Sequence, residues 1–415
     1  MRHPIDRRLF LKTGLVGIGS SLMVARSPFA EVFSPRAAGR RVLPSDNGRR
    51  LVVVQLRGGN DGLNTVVPFT ETAYRSLRPN LALPEHELLQ IGGEVALNPA
   101  LAPLLPHWER GQFAIVPNVG YPDPDLSHFR SEAIWYTANP QAPSGNGWLG
   151  AWIHQRSNPS PAALTSISYL PSPATAAQNA VAAAVRDPDQ FGFEFTNPVP
   201  EDSELRRELL HQGFLDSVGR ADSLSSISAT GLAAESVVDL VGRIPEEEVP
   251  PVAYPESVLA GDLAIAARFL ASDVGARVVW VTTGGFDTHA DQGATHSNLL
   301  GELAGALDAF LEDLDVRGLS ARTAVMVWSE FGRRVQENGS LGTDHGTGGA
   351  SFFLGAPVNG GIYGDLPDLH RLDENGNLVF DVDFRSLYET VFAEHLGVDP
   401  RLVLEQPFER LGIFR

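Results

Sequence analysis

The sequence predicts an α/β fold, a parallel sheet covered by helices on both faces. Three observations carry this. The runs Val278-Val279-Trp280-Val281 and Ala324-Val325-Met326-Val327-Trp328 are apolar at every position, as strands are when both faces of their sheet are buried. Segments between such runs repeat their apolar residues every three to four positions, the mark of amphipathic helices. The chain has 415 residues, 43% hydrophobic and 20% charged, enough to bury a large core in one large domain or two medium ones.

The elements follow in order. Arg7-Arg8, then Leu9-Phe10 and Lys12, then a mildly apolar stretch from Thr13 to Ala25, read as a twin-arginine export signal over residues 1–30. The stretch is about 13 residues long and interrupted by Gly14, Gly17 and Gly19, too short and too weak for a membrane span. Residues 31–48, rich in Pro, Gly, Ser and Arg, read as a linker, and 49–415 as one α/β domain. Its first strand is Arg50–Leu56, running into the glycine-rich turn Arg57-Gly58-Gly59-Asn60-Asp61-Gly62. Further strands are expected at Phe113–Val119, Ser166–Leu170, Arg277–Thr283 and Thr323–Ser329, and helices at Ser131–Thr137, Glu201–Val218, Ser257–Ala271, Thr295–Leu314 and Phe384–Leu396. Residues 172–250, rich in Ala, Ser and Pro and without chemical motifs, read as a helical insertion over the sheet.

Composition excludes several function classes. Acidic residues outnumber basic ones, 50 to 32, for a formal charge of −18, and removal of residues 1–30 would take it to −22. Nucleic acid needs a basic face, so no nucleic-acid partner is expected. Cysteine is absent, which rules out disulfide scaffolds, thiolate metal sites and cysteine nucleophiles. The one lysine is Lys12, so the exported chain would have none for a Schiff base or a phosphate-binding loop.

The chemistry-bearing residues follow strands, where open α/β sheets place their ligands. After the first strand, Asp61 offers a carboxylate, either to a ligand or as the cap of a turn. After the strand ending at Thr283 comes Gly284-Gly285-Phe286-Asp287-Thr288-His289. In extended chain Asp287 and His289 face the same way and could present a carboxylate and an imidazole to one cation; the other reading is a capping Asp and a surface His. His296, in the following helix, reads as a solvated or packed histidine. Glu330 directly follows the strand Thr323–Ser329, as a ligand or a salt-bridged acid, and Gly342-Thr343-Asp344-His345-Gly346 is a loop in which Asp344 and His345 could both reach an ion. Off the strands, Ser127-His128-Phe129-Arg130 precedes a helix. Ser127 is an N-cap or a nucleophile there, and Arg130 could neutralise an anion.

Together the segments 57–65 (Arg-Gly-Gly-Asn-Asp-Gly-Leu-Asn-Thr), 127–131 (Ser-His-Phe-Arg-Ser), 284–289 (Gly-Gly-Phe-Asp-Thr-His), 329–333 (Ser-Glu-Phe-Gly-Arg) and 342–346 (Gly-Thr-Asp-His-Gly) resemble the bacterial family numbered 1501 among the domains of unknown function. That family in turn resembles, more distantly, the alkaline phosphatase and sulfatase superfamily. The resemblance implies an alkaline-phosphatase-like mixed, mostly parallel sheet flanked by helices, with metal at its carboxyl edge. It implies hydrolysis of phosphate or sulfate esters from a residue at a helix start. It also implies Ser127 as the nucleophile position, with His128 as the alternative occupant, and Asp61, Asp287, His289, Glu330 and His345 as metal ligands. The chain departs from the superfamily pattern in its Asp-Thr-His spacing and in Ser329-Glu330-Phe331 where Asp-His is usual, which puts a second metal in doubt.

The expectation is therefore an exported, metal-dependent hydrolase of phosphate or sulfate esters, periplasmic or secreted. Ser127 is its candidate catalytic residue, with His128, Arg130 and Asn64 binding the anionic ester. Asp61, Asp287, His289, Glu330, Asp344 and His345 would hold a divalent zinc, manganese or calcium ion. Its partners would be that substrate, the twin-arginine translocation machinery and, in the alternative reading, a cell-envelope protein bound by a catalytically inactive member of the same fold. A calcium-stabilised surface protein is the third option.

Overall fold

The computed structural model describes residues 47–154, 160, 162–176, 182–192, 200–217, 223–247 and 249–415. The expected export signal and residues 31–46 of the expected linker lie outside the described residues. The frame is a central sheet of nine strands among the described residues. These are β1 (Arg50–Leu56), β2 (Phe113–Gly120), β3 (Leu164–Ser166), β4 (Ala183–Ala184), β5 (Val278–Thr283), β6 (Thr323–Ser329), β7 (Gly349–Leu354), β8 (Gly361–Ile362) and β9 (Val382–Asp383). They lie in the order β8-β2-β7-β6-β1-β5-β3-β4, with β9 also pairing β2. All run the same way except β7, which is antiparallel to both β2 and β6. The sheet is therefore mixed and mostly parallel, as expected.

β1 lies in the middle, in parallel register with β5 on one side (Val53 beside Trp280) and β6 on the other (Val53 beside Met326). Its side chains alternate between two cores. Val52, Val54 and Leu56 join one core with Val279, Val281, Val325 and Val327. Leu51 and Val53 join the other with Val278, Trp280, Met326 and Trp328. An uninterrupted apolar run is thus two alternating faces, both buried.

Among the helices of the described residues, seven are used below: α1 (His128–Thr137), α2 (Trp148–His154), α3 (Pro200–Leu215), α4 (Ser223–Val241), α5 (Val258–Ala271), α6 (Gln292–Val316) and α7 (Phe384–Thr390). Leu259, Leu263, Leu300, Leu303, Leu307 and Phe310 put α5 and α6 on the first face. α1, α2 and α7 cover the second through aromatic side chains, with Trp135 stacked on Trp328 at 4.5 Å and Trp148 on Tyr388 at 4.0 Å. The Trp135–Trp328 stack fixes α1 against β6, which matters because α1 begins with His128.

Several elements differ from expectation, among them α2, β8 and β9, which were not expected. The strand expected at Ser166–Leu170 is Leu164–Ser166. β7 is absent from the expected set: Gly349-Ala350-Ser351-Phe352-Phe353-Leu354 opens with a glycine and carries a polar Ser351, which hides a strand that is fully buried. The span 172–250 holds the helices α3 and α4 but also the edge strand β4, whose two alanines give no strand signal.

A candidate metal centre at the carboxyl edge of the sheet

Three loops and one helix start meet beyond the carboxyl ends of β1, β5 and β6. The β1 turn is pressed onto the β5 loop. Gly58 has φ +118°, and a Cβ there would lie 2.4 Å from the Asp287 backbone nitrogen, so only glycine permits this approach. Glu330 closes the corner from β6. Its buried carboxylate accepts hydrogen bonds from the Gly58 N–H at 2.8 Å and from His128 Nδ1 at 2.7 Å. Ser329 ties the same corner, donating to Leu56 O at 2.7 Å and accepting from the Asn60 N–H at 2.9 Å.

His128, Asp287 and His345 each present one ligand atom, all within 4.8 Å of one another. His345 Nε2 lies 3.1 Å from Asp287 Oδ1, and His128 Nε2 3.5 Å from Asp287 Oδ2. His289 joins at the open side, its Nε2 3.0 Å from Asp287 Oδ1 and 3.0 Å from His345 Nε2. Each imidazole is tied through Nδ1 to an oxygen acceptor: His128 to Glu330, His345 to Leu126 O at 2.8 Å, His289 to Asp344 at 3.4 Å. Nδ1–H donation leaves the Nε2 lone pairs pointing inward. Lone pairs 3.0 Å apart beside a carboxylate repel unless a proton or a cation sits among them.

That arrangement fits a divalent ion. Around a tetrahedral ion with bonds of about 2.0–2.1 Å, neighbouring ligand atoms stand about 3.3 Å apart; the contacts of the three histidines with Asp287 run from 3.0 to 3.5 Å, and the ligand atoms of His128, Asp287 and His345 all lie within 4.8 Å of one another. His128 Nε2 is buried and makes no hydrogen bond, although buried polar atoms nearly always have a partner. The donor set of three imidazoles and a carboxylate suits zinc or manganese better than calcium, which prefers an all-oxygen shell.

Charge is arranged for a cation too. Burial would raise Asp287, but the hydrogen bond and positive charge of Arg333 outweigh it and hold the carboxyl well below the usual carboxylate range, so it is ionised at neutral pH. The hydrogen bond to Glu330 pushes His128 up, whereas burial pushes His345 down. Arg333 is itself buried and saturated. It donates to Gly59 O at 2.7 Å, Thr343 O at 2.8 Å, Phe286 O at 3.0 Å, Asp287 Oδ1 at 2.8 Å and to Gly58 O. It staples all three loops.

The structure gathers His128, Asp287, His289, Glu330, Asp344 and His345, with Glu330 and Asp344 behind the histidines rather than facing the centre. Two expected site residues lie apart. Asp61 is fully buried, with Oδ2 on Arg78 at 2.6 Å and on Gln292, and Oδ1 accepting the Leu63 and Asn64 N–H groups of a short helix. It is an N-cap and an ion-pair partner with no oxygen left for a metal. Asn64 is likewise buried, holding Arg78 at 2.8 Å, Tyr74 at 2.9 Å and Leu81 O at 2.8 Å, and reaches no solvent-facing ligand. His128 faces Asp287 among the ligand atoms rather than standing beside them as a substrate contact. Ser127 is exposed at the N-cap of α1 but makes no capping hydrogen bond, and Arg130 is exposed and paired with Asp125 at 3.2 Å. His296 is packed, bonded to Asn60 at 2.9 Å. Sequence reading missed Arg333, Arg78 and Gln292. Arg333 stood inside the Ser-Glu-Phe-Gly-Arg segment, but nothing local says that an arginine there is buried.

A family model described as "Protein of unknown function (DUF1501)" matches residues 114–411. No curated protein matches the sequence. Among solved structures, a protein in the alkaline phosphatase superfamily from Vibrio parahaemolyticus is 12% identical, with 98% of this chain and 80% of that one covered and a TM-score of 0.33. The C-terminal periplasmic domain of EcEptC from Escherichia coli, complexed with Zn, is 10% identical over 76% of this chain and 77% of that one, at 0.34. Alkaline phosphatase from the Antarctic bacterium TAB5 is 11% identical over 76% and 94%, at 0.29. Scores of this size leave the fold to rest on the strand order and register given above.

Proposed function

The chain belongs to that family of unknown function, and from the chemistry of its own site we propose that it is a metal-dependent hydrolase of phosphate or sulfate esters. The observation that carries this is the convergence of His128, His289 and His345 on Asp287, each imidazole oriented by an oxygen acceptor behind it. His128, Asp287 and His345 would hold the ion, with His289 as the fourth donor on the exposed side. When bound, a divalent ion supplies Lewis acidity, which lowers the pKa of a coordinated hydroxyl or water and offsets charge on the ester oxygens.

The protein's own groups do the rest. Glu330 holds the His128 ring, and Arg333 keeps Asp287 ionised and its loop in place. Ser127 immediately precedes His128 in the chain, at the N-cap of α1. Its side chain leaves the first N–H groups of α1 uncapped, so they face an incoming anion together with the positive end of the helix. Ser127 is the proposed nucleophile; water is the alternative. With Asp61 committed to Arg78, the donor set serves one ion rather than two.

Export through the twin-arginine machinery to the periplasm or outside belongs to the same proposal and rests on Arg7-Arg8 and the stretch after them. No helix among the described residues is long and apolar enough to cross a membrane. The test is a panel of aryl phosphates and aryl sulfates offered to the protein with added zinc or manganese. Turnover that vanishes on chelation and in Asp287→Ala is expected. Failure to cleave any ester with a full complement of metal would leave the inactive, partner-binding reading standing.

A further inference from the structure

We infer that Arg57 forms a second anion-binding subsite about one helical turn from the metal centre, so that the favoured substrate carries a second negative group beside the scissile ester. The inference rests on the hydrolase reading and adds a substrate class to it. Arg57 is the first residue past β1, and its backbone is stitched to the β5 loop. Its N–H donates to Thr283 O at 2.8 Å, and its carbonyl accepts from the Phe286 N–H at 3.2 Å, one residue before Asp287. The side chain lies on α1. Its Nε and Nη2 donate to the two oxygens of Glu132, at 2.5 and 3.0 Å. Glu132 sits four residues after His128 on the same helix, and such positions are neighbours about 5–6 Å apart. The guanidinium is therefore held one turn along from the imidazole that faces the metal centre.

The pair is not an ordinary surface ion pair. Arg57 is 49% exposed while Glu132 is 7% exposed. The carboxylate is buried and steadied further by Gln55 Nε2 at 3.3 Å, which Tyr136 holds in turn. Burying a carboxylate is costly, and a half-exposed ion pair contributes little in return. What the arrangement achieves is a fixed guanidinium. One edge is occupied by Glu132, and Nη1 has no protein partner among the described residues. Planar N–H donors in a fixed fork match phosphate, sulfate or carboxylate oxygens.

Equilibrium binding to the zinc-loaded full chain tests this without turnover, using 1,3-propanediphosphonate and methylphosphonate as probes. Wild type is expected to prefer the diphosphonate by about tenfold or more, as for one charge-assisted pair. In Arg57→Gln/Glu132→Gln, which removes both charges of the pair, the ratio of the two affinities is expected to fall toward one. A folded double variant that retains the wild-type ratio overturns the subsite, as does a wild type that binds both probes equally. Those results leave the hydrolase reading in place. Binding of neither probe, together with no cleavage of any ester, overturns both.

Discussion

Arg333→Met removes the staple that joins the three loops of the candidate centre while keeping a side chain of similar length. In the wild type the guanidinium is 1% exposed and satisfies the carbonyls of Gly58, Gly59, Phe286 and Thr343 as well as Asp287. Hydrogen bonds to a charged group contribute about 1.5–3 kcal/mol each, and loss of one member of a buried pair costs about 3–5 kcal/mol. Asp287 is half-exposed, so its own share is screened, and water can reach some of the freed carbonyls. The expected loss is about 4 kcal/mol of unfolding free energy, read from urea titration followed by the fluorescence of the six tryptophans, with chelator present and an unchanged m-value. The variant should also bind metal more weakly, because the Asp287 loop loses its anchor. A loss below about 1 kcal/mol would refute the account of Arg333 as the pin of the site.

Three further outcomes are expected. Asp61→Ala strands the buried Arg78 and should cost about 3–5 kcal/mol of stability, with metal stoichiometry in the surviving folded protein unchanged; loss of the ion would return Asp61 to the ligand set. Glu330→Gln should weaken metal affinity about 10–100-fold by loosening the orientation of His128, which competition with a chromogenic chelator measures. Burial holds His296 and His395 down, each at about 4. Both bind a proton more readily unfolded, so stability should fall as pH drops from 6.5 toward 4, by about 3 kcal/mol for each histidine. Replacing His395, which bonds Arg50 O at 2.7 Å, with Gln should flatten that acid limb.

The fold was legible because its signals are local. β1, β5 and β6 announce themselves as continuous apolar runs, and the period of Leu299 to Leu314 announces α6. β7 escaped because its identity as a strand depends on neighbours, β2 and β6, that are far away in sequence. At the site the same contrast holds. Asp287, His289 and His345 were visible as polar residues in glycine-rich loops after strands, and the structure brings them together. Asp61 has the same local appearance, yet its fate is decided by Arg78, 17 residues on, and by Gln292, 231 residues away. Of the two readings that its position allowed, ligand or cap, the cap is the one realised. Arg333 illustrates the converse: its five acceptors lie on three loops, so no window of sequence contains the reason for its burial.

One ion held by His128, Asp287 and His345 is the centre of the proposed chemistry. Equilibrium dialysis of the purified chain against micromolar zinc or manganese, with metal counted by mass spectrometry, tests it most directly. One ion per chain in the wild type, lost in both His345→Ala and Asp287→Ala and kept in Asp61→Ala, is the result predicted. No stoichiometric metal in the wild type, or an ion that persists when both His345 and Asp287 are replaced, would contradict it.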